Sequence, residues 1–335
     1  MKTRLIAVAT VAAFALLQLS PTRPPRLNRA EAAESPPLPD VPLRGDPVVF
    51  VVIDGVRWQE MFEGDAFGLT PHLHTVTSER GAWVGAPGRG VMSASGPCFV
   101  SLPAYREIFS GTSSLDCLDN ECPRIQRPTI VDELRRHRGS AAVFSSWETI
   151  ENAAAKDLAG LFLSAGRGPA ESDVDPFPGS AGFRPDRLTA RVALEHLESA
   201  QPDFFFLGLG EPDEYAHRGD YPRYLASIRA ADRVIGELVA TLDRMGPRGQ
   251  RTHVFVTTDH GRAATFRHHG GAFPESARVW LAAWGPTIHA RGSVITDASR
   301  RLADLAPTAR TILGLPRLPT SPAAGRPLYE LLGTD

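Results

Sequence analysis

The stretch His253-Val254-Phe255-Val256-Thr257-Thr258-Asp259-His260-Gly261 decides how this chain is read. An apolar run too short for a helix stops at two threonines, and a carboxylate and an imidazole follow side by side before a glycine. Short apolar runs bounded by turn residues read as buried strands. Adjacent Asp and His at a strand end look like metal ligands, because both types donate to divalent ions. The pattern recurs twice. Val48-Val49-Phe50-Val51-Val52-Ile53 runs into Asp54-Gly55, and Phe204-Phe205-Phe206-Leu207-Gly208-Leu209 runs towards Asp213 and His217. Three buried strands thereby deliver carboxylates and imidazoles to one edge of a sheet.

The 335 residues, 42% of them apolar, suffice for one large α/β domain or two small ones and exclude a disordered or fibrous chain. Leu5 to Leu19 form an apolar block of 15 residues behind Lys2 and Arg4, followed by Ala30-Glu31-Ala32-Ala33. This is the three-part layout of a secretory signal with a small-residue cleavage site. Residues 1–32 are therefore read as a signal peptide, 33–46 as a Pro-rich spacer and 47–335 as the working domain. The expectation is a periplasmic or secreted protein without a membrane span in the mature chain. An uncleaved N-terminal anchor is the alternative, although the block is shorter than the ~20 residues a span needs. Removing residues 1–32 takes away five basic side chains and one acidic one, moving the formal charge from −2 to −6. Such a balance gives no basis for nucleic-acid binding. Oligomeric state is not readable. Of Cys98, Cys117 and Cys122, the last two bracket a four-residue loop and are the expected disulfide in an exported chain.

Further strands are expected at 141–144 and 279–283, and helices at 130–137, 188–200, 221–245 and 305–313. The longest helix is the clearest, with Leu225, Ile228, Val234, Ile235, Leu238, Leu242 and Met245 at helical spacing before Gly246-Pro247. Residues 164–186, rich in Gly, Pro and Asp, are expected as an irregular loop and one wall of a pocket. Strands alternating with helices predict an α/β fold: a mostly parallel central sheet with helices on both faces. Ligands bind such sheets beyond the carboxyl ends of the strands, where the Asp and His residues fall.

Six candidate ligands result: Asp54, Asp213, His217, Asp259, His260 and His269. The four-residue spacing of Asp213 and His217 puts both on one face of a helical turn. Zn²⁺ suits this donor set best, with Mn²⁺ or Fe as alternatives. The candidate nucleophile is Ser101, in Phe99-Val100-Ser101-Leu102-Pro103-Ala104-Tyr105. Its hydroxyl is too weakly acidic to attack unaided, and coordination to a divalent ion would activate it. The same serine also reads as a helix N-cap with Pro just inside the helix, a reading compatible with the first. Cys98 is an alternative nucleophile, and His268 an alternative to His269.

The order Asp54, Ser101 before a Pro-containing helix ending at Gly111, Asp213 with His217, Asp259-His260-Gly261, then His269-Gly270, resembles the alkaline phosphatase superfamily, and within it the type I phosphodiesterase and nucleotide pyrophosphatase group. The resemblance runs from about Pro47 to the Leu305–Gly314 segment. It implies a three-layer sandwich and two zinc ions, one held by Asp54, Asp259, His260 and Ser101, the other by Asp213, His217 and His269. It also implies that Asn120 stabilises an oxyanion. Two departures stand out. Nucleotide pyrophosphatases carry Thr as nucleophile with Asn two residues on, whereas Ser101 is followed by Leu102-Pro103-Ala104. Formylglycine sulfatases need Arg where Tyr105 stands, with the arginine here one place later at Arg106. The expected function is hydrolysis of a small phosphoester, a monoester or diester, through a phosphoserine on Ser101. The alternatives are phosphoryl transfer to lipid head groups or glycans, and a sulfatase-like hydrolase.

Overall fold

The computed structural model describes residues 45–88, 90–113, 115–166, 182–294, 298–317 and 321–332. The expected signal, spacer residues 33–44 and most of the 164–186 loop lie outside the described residues. Those described fall in one compact unit.

Eleven strands are described: β1 Val48–Ile53, β2 Gly81–Val84, β3 Met92–Ser93, β4 Ala141–Ser145, β5 Phe162–Ala165, β6 Phe204–Leu209, β7 His253–Thr257, β8 Arg278–Val279, β9 Leu281–Trp284, β10 Gly292–Ser293 and β11 Arg300–Arg301. Eight form the central sheet in the order β10-β2-β9-β7-β1-β6-β4-β5. Its pairings are parallel except the two made by β9. The three motif-bearing strands are therefore neighbours at the centre. Val48 pairs with His253 on one side and Phe204 on the other, so their carboxyl ends lie level.

Every residue of β1, β6 and β7 is buried, which is why their sequences are continuously apolar rather than alternating. Val48, Phe50 and Val52 pack under helices Ser101–Ser110, Ile130–Arg136 and Leu305–Leu313. Val49, Val51 and Ile53 pack under helices Pro71–Arg80, Asp186–Ala200 and Tyr221–Arg244. Phe50 lies edge-on to Phe204 at 5.2 Å and to Phe255 at 5.5 Å, locking the central strands together. This is the expected three-layer α/β architecture.

The single strand expected at 279–283 is instead two. β8 joins a small sheet ordered β11-β3-β8, and β9 joins the central one. The chain breaks at Trp280, whose fully buried indole donates to Val56 O at 3.1 Å and whose carbonyl accepts from Thr257 Oγ1. Satisfying those groups takes the residue out of both ladders.

Candidate metal centre

β1 hands its carboxylate to a tight turn. Gly55, at φ 64°, donates its N–H to Asp259 Oδ1 at 3.1 Å, and Val56 donates to Thr258 Oγ1 at 3.1 Å. The loops after β1 and β7 are thereby stitched together. A Cβ at Gly55 would collide with Asp213 Oδ1 and come within 2.9 Å of Arg262 Nη1, so the site closes only over a bare backbone.

After β6 the chain turns at Gly210 into helix Glu211–His217. One turn puts Asp213 Oδ2 2.9 Å from His217 Nε2. His269 arrives from the loop before β8 with its Nε2 3.0 Å from His217 Nε2 and its Nδ1 3.0 Å from Phe99 O. His260, fully buried, lies between the groups. Its Nε2 is 3.4 Å from Asp259 Oδ2, 3.5 Å from Asp54 Oδ1 and 3.9 Å from Asp213 Oδ1, and its ring stacks on His269 at 3.9 Å. All six expected ligands thus meet at the carboxyl edge of β7, β1 and β6. Two overlapping sets, which share His260, offer atoms close enough for an ion: Asp54 with Asp259 and His260, and Asp213 with His260 and His269. His268 is exposed and stacks on Phe273 instead.

Ser101 opens helix Ser101–Ser110 but does not cap it; the N-cap is Val100, without a side-chain bond. The hydroxyl lies instead 3.5 Å from Asp54 Oδ1 and 3.3 Å from His260 Nε2. The N-cap expectation is corrected because the serine sits one position inside the helix. Tyr105, one turn on, donates to Asp54 Oδ2 at 3.1 Å. Asn120 reaches the same helix start, accepting the Leu102 N–H on Oδ1 at 2.9 Å. It comes from the loop between Cys117 and Cys122, which lie at disulfide distance with Cα atoms 5.6 Å apart. Cys98 is a free, half-buried thiol.

The electrostatics of the cluster are those of buried like charges. Burial, then the neighbouring Asp259 and Asp213 carboxylates, holds Asp54 well above the usual carboxylate range. Burial and Asp213 push Asp259 up to about 6. Asp213 goes the other way: burial alone would raise it, but Arg262, His217 and His269 hold it well below its ordinary value. Burial lowers His260 to about 4, and burial with the His260 charge lowers His269 to about 3. Imidazoles that resist protonation are competent metal donors.

Residues 171–317 match the model of the metalloenzyme superfamily. The fold resembles phosphonate monoester hydrolase of Agrobacterium radiobacter (TM-score 0.64, 16% identity, covering 87% of this chain and 78% of that one). It also resembles a putative sulfatase from Bacteroides thetaiotaomicron (0.63, 16%, 87% and 75%). A third likeness is to murine ectonucleotide pyrophosphatase/phosphodiesterase 5 (0.59, 13%, 82% and 97%). The metalloenzyme match thus covers the part of the chain that carries Asp213, His217, Asp259, His260 and His269, and the solved structures share its fold. In sequence it is 30% identical over 145 residues, 42% of its length, to the 2,3-bisphosphoglycerate-independent phosphoglycerate mutase of Haloarcula marismortui. The Halobacterium salinarum mutase is 30% identical over 131 residues, 38% of this chain. The chain spans about a quarter of these relatives, 26% and 24%.

The superfamily implies divalent metal, and the residues fit it. Asp259 Oδ2 is buried without a hydrogen-bond partner, an orphan acceptor aimed into the cluster. Three buried carboxylates facing three imidazoles form a donor set that calls for a cation. Two side chains at the site were not singled out by sequence reasoning. Tyr105 orients Asp54, as described above. Arg262, 1% exposed, pairs with Asp213 Oδ1 while donating to Phe266 O and, at 2.8 Å, to Arg267 O. It ties the Asp213 helix to the loop that delivers His269. Its position just beyond Asp259-His260-Gly261 was the available signal.

Proposed function

We propose that this chain is an exported, two-metal phosphoester hydrolase working through a phosphoserine on Ser101. The observation that carries the reading is the Ser101 hydroxyl at 3.3 Å from His260 Nε2 and 3.5 Å from Asp54 Oδ1, inside a set of six metal-type donors rather than at a cap. One ion would be held by Asp54, Asp259, His260 and Ser101, the other by Asp213, His217 and His269, and the donor chemistry favours zinc. Bound there, the ions would activate the seryl oxygen and neutralise charge on the phosphoryl group. The residues supply the rest. Ser101 Oγ, aimed by its helix, attacks phosphorus as the ester oxygen departs with a proton, and water then hydrolyses the seryl ester, releasing phosphate from a monoester substrate or a phosphomonoester from a diester. Asn120, its carbonyl spent on Leu102 N–H, has its amide N–H groups left to donate to a phosphoryl oxygen. Cysteines at disulfide distance support an oxidising compartment, and among the described residues no helix is long and apolar enough to cross a membrane.

A second reading, transfer of the phosphoryl group to an alcohol, is favoured by one observation: the sequence relatives are named mutases. Elemental analysis should find two divalent ions per chain, and turnover of p-nitrophenyl phosphate against bis-p-nitrophenyl phosphate should sort monoester from diester. Added alcohol acceptors that appear phosphorylated would move the assignment to transfer. Ser101→Ala should lose several orders of magnitude in turnover with both ions retained. Near wild-type turnover in that variant would remove Ser101 from the mechanism.

A further inference from the structure

The helix carrying Asp213 and His217 has seven residues and a glycine N-cap without a side chain to close its first turn. So short a helix does not hold its own place. Asp186, 4% exposed at the start of helix Asp186–Ala200, supplies what is missing. Its Oδ1 accepts the Gly210 N–H at 2.8 Å and its Oδ2 the Glu211 N–H at 3.0 Å. The arrangement is reciprocal: Glu211 Oε1 accepts the Asp186 N–H at 3.2 Å. Ser146, just beyond β4, donates its hydroxyl to Asp186 Oδ1 and lies 3.0 Å from Thr189 Oγ1, which accepts from Arg184 Nε at 3.0 Å. Two helix N-termini therefore cap each other, and the pair is anchored to the central sheet. The other ligand set hangs from β1 and β7 and takes no part in this bracket.

We propose that Asp186 is a positioning residue for the ion held by Asp213, His217 and His269, a role that rests on the two-ion reading above. Metal–ligand bonds tolerate displacements of only about 0.2 Å, so a helix freed of its external cap no longer presents its ligands at bonding distance. The Asp54, Asp259 and His260 set keeps its geometry.

The test uses the full purified chain with Asp186→Ala, Asp186→Asn and Glu211→Ala, read by stepwise Zn²⁺ titration and by amide hydrogen exchange of the metal-free protein. Asp213→Ala identifies which titration step belongs to the second ion. In Asp186→Ala that step should weaken ~10- to 100-fold, the scale on which residues behind metal ligands act. The other step should be unchanged, and exchange should quicken across 210–217 but not in β1 or β7. Asp186→Asn, which keeps one acceptor, should recover part of the loss. Equal weakening of both steps, or no change in either, overturns the proposal. If the wild type takes up no Zn²⁺, the two-ion reading fails. The exchange arm then decides the cap alone, and unaltered protection of 210–217 in the variant refutes it. Should Asp186→Ala fail to fold, Glu211→Ala, which removes only the return bond, must show the same selective pattern.

Discussion

Asn120 illustrates what one side chain's orientation commits it to. With Oδ1 accepting the Leu102 N–H, its amide hydrogens are left to donate elsewhere at the start of the Ser101 helix, the role proposed for them above. Asn120→Ala is expected to cost on the order of 10²-fold in kcat on a phosphoester, the usual loss for one donor to developing oxyanion charge. Asn120→Asp should cost more, since it keeps the Leu102 bond but sets a negative charge against the phosphate. Unchanged kcat in the alanine variant would show that the residue serves only the helix start. The clustering of Ser101 with the six candidate ligands was legible because they fall at strand ends or in a recognisable order. Arg262 was not, because its meaning depends on Asp213, 49 positions upstream, and no spacing rule links a lone arginine to a distant carboxylate.

At the scale of elements, long periodic or continuously apolar segments were legible and short ones were not. Helix Tyr221–Arg244 declared itself through spacing, whereas β2, with only four residues, and the two-residue strands of the small sheet carry too little pattern. The turn after β1 has a sharp requirement. Gly55 combines φ 64° with the approach of Asp213 and Arg262, so Gly55→Ala should destabilise the fold by about 1–3 kcal/mol and abolish binding of at least one ion. Urea unfolding and metal titration read the two effects, and an alanine variant with both intact would refute the steric argument. At the opposite end of β7, burial lowers His253 from 6.5 to about 4. The imidazole is neutral in the fold, so the stability this brings is present above pH 6.5 and is lost as pH falls from there towards 4. The loss at pH 5 should be about 2 kcal/mol relative to pH 7. Urea midpoints at both pH values, compared between wild type and His253→Gln, isolate this contribution. Identical pH dependence in the two proteins would exclude it.

Taken whole, the molecule's fold class followed from continuous apolar strands separated by helices, since strands without alternation must be covered on both faces. The strand order did not follow, for nothing local in β1 states that β7 and β6 are its neighbours. That order is what brings together candidate ligands spread from Asp54 to His269, and it gathers buried like charges at one point. Burial and mutual charge push Asp54 well up and Asp259 to about 6, so without a cation the folded state at neutral pH holds carboxylates that resist ionisation. Divalent ions held there would relieve this, and they would bind only the assembled site. Free ion at a thousand-fold excess over its dissociation constant should stabilise the fold by about 4 kcal/mol per site. A chelator is therefore expected to lower the urea midpoint at pH 7, and re-addition of Zn²⁺ to restore it. The carboxylate contribution has a definite sign. A group whose pKa is raised on folding adds stability at low pH and loses it as pH rises through the folded value, so the metal-free protein becomes less strained by its carboxylates as pH falls. Protons then compete with the ion, and the gap between metal-loaded and metal-free midpoints should narrow from pH 7 to pH 5. A chelator that leaves the midpoint unmoved at pH 7 would show that no ion is built into the fold.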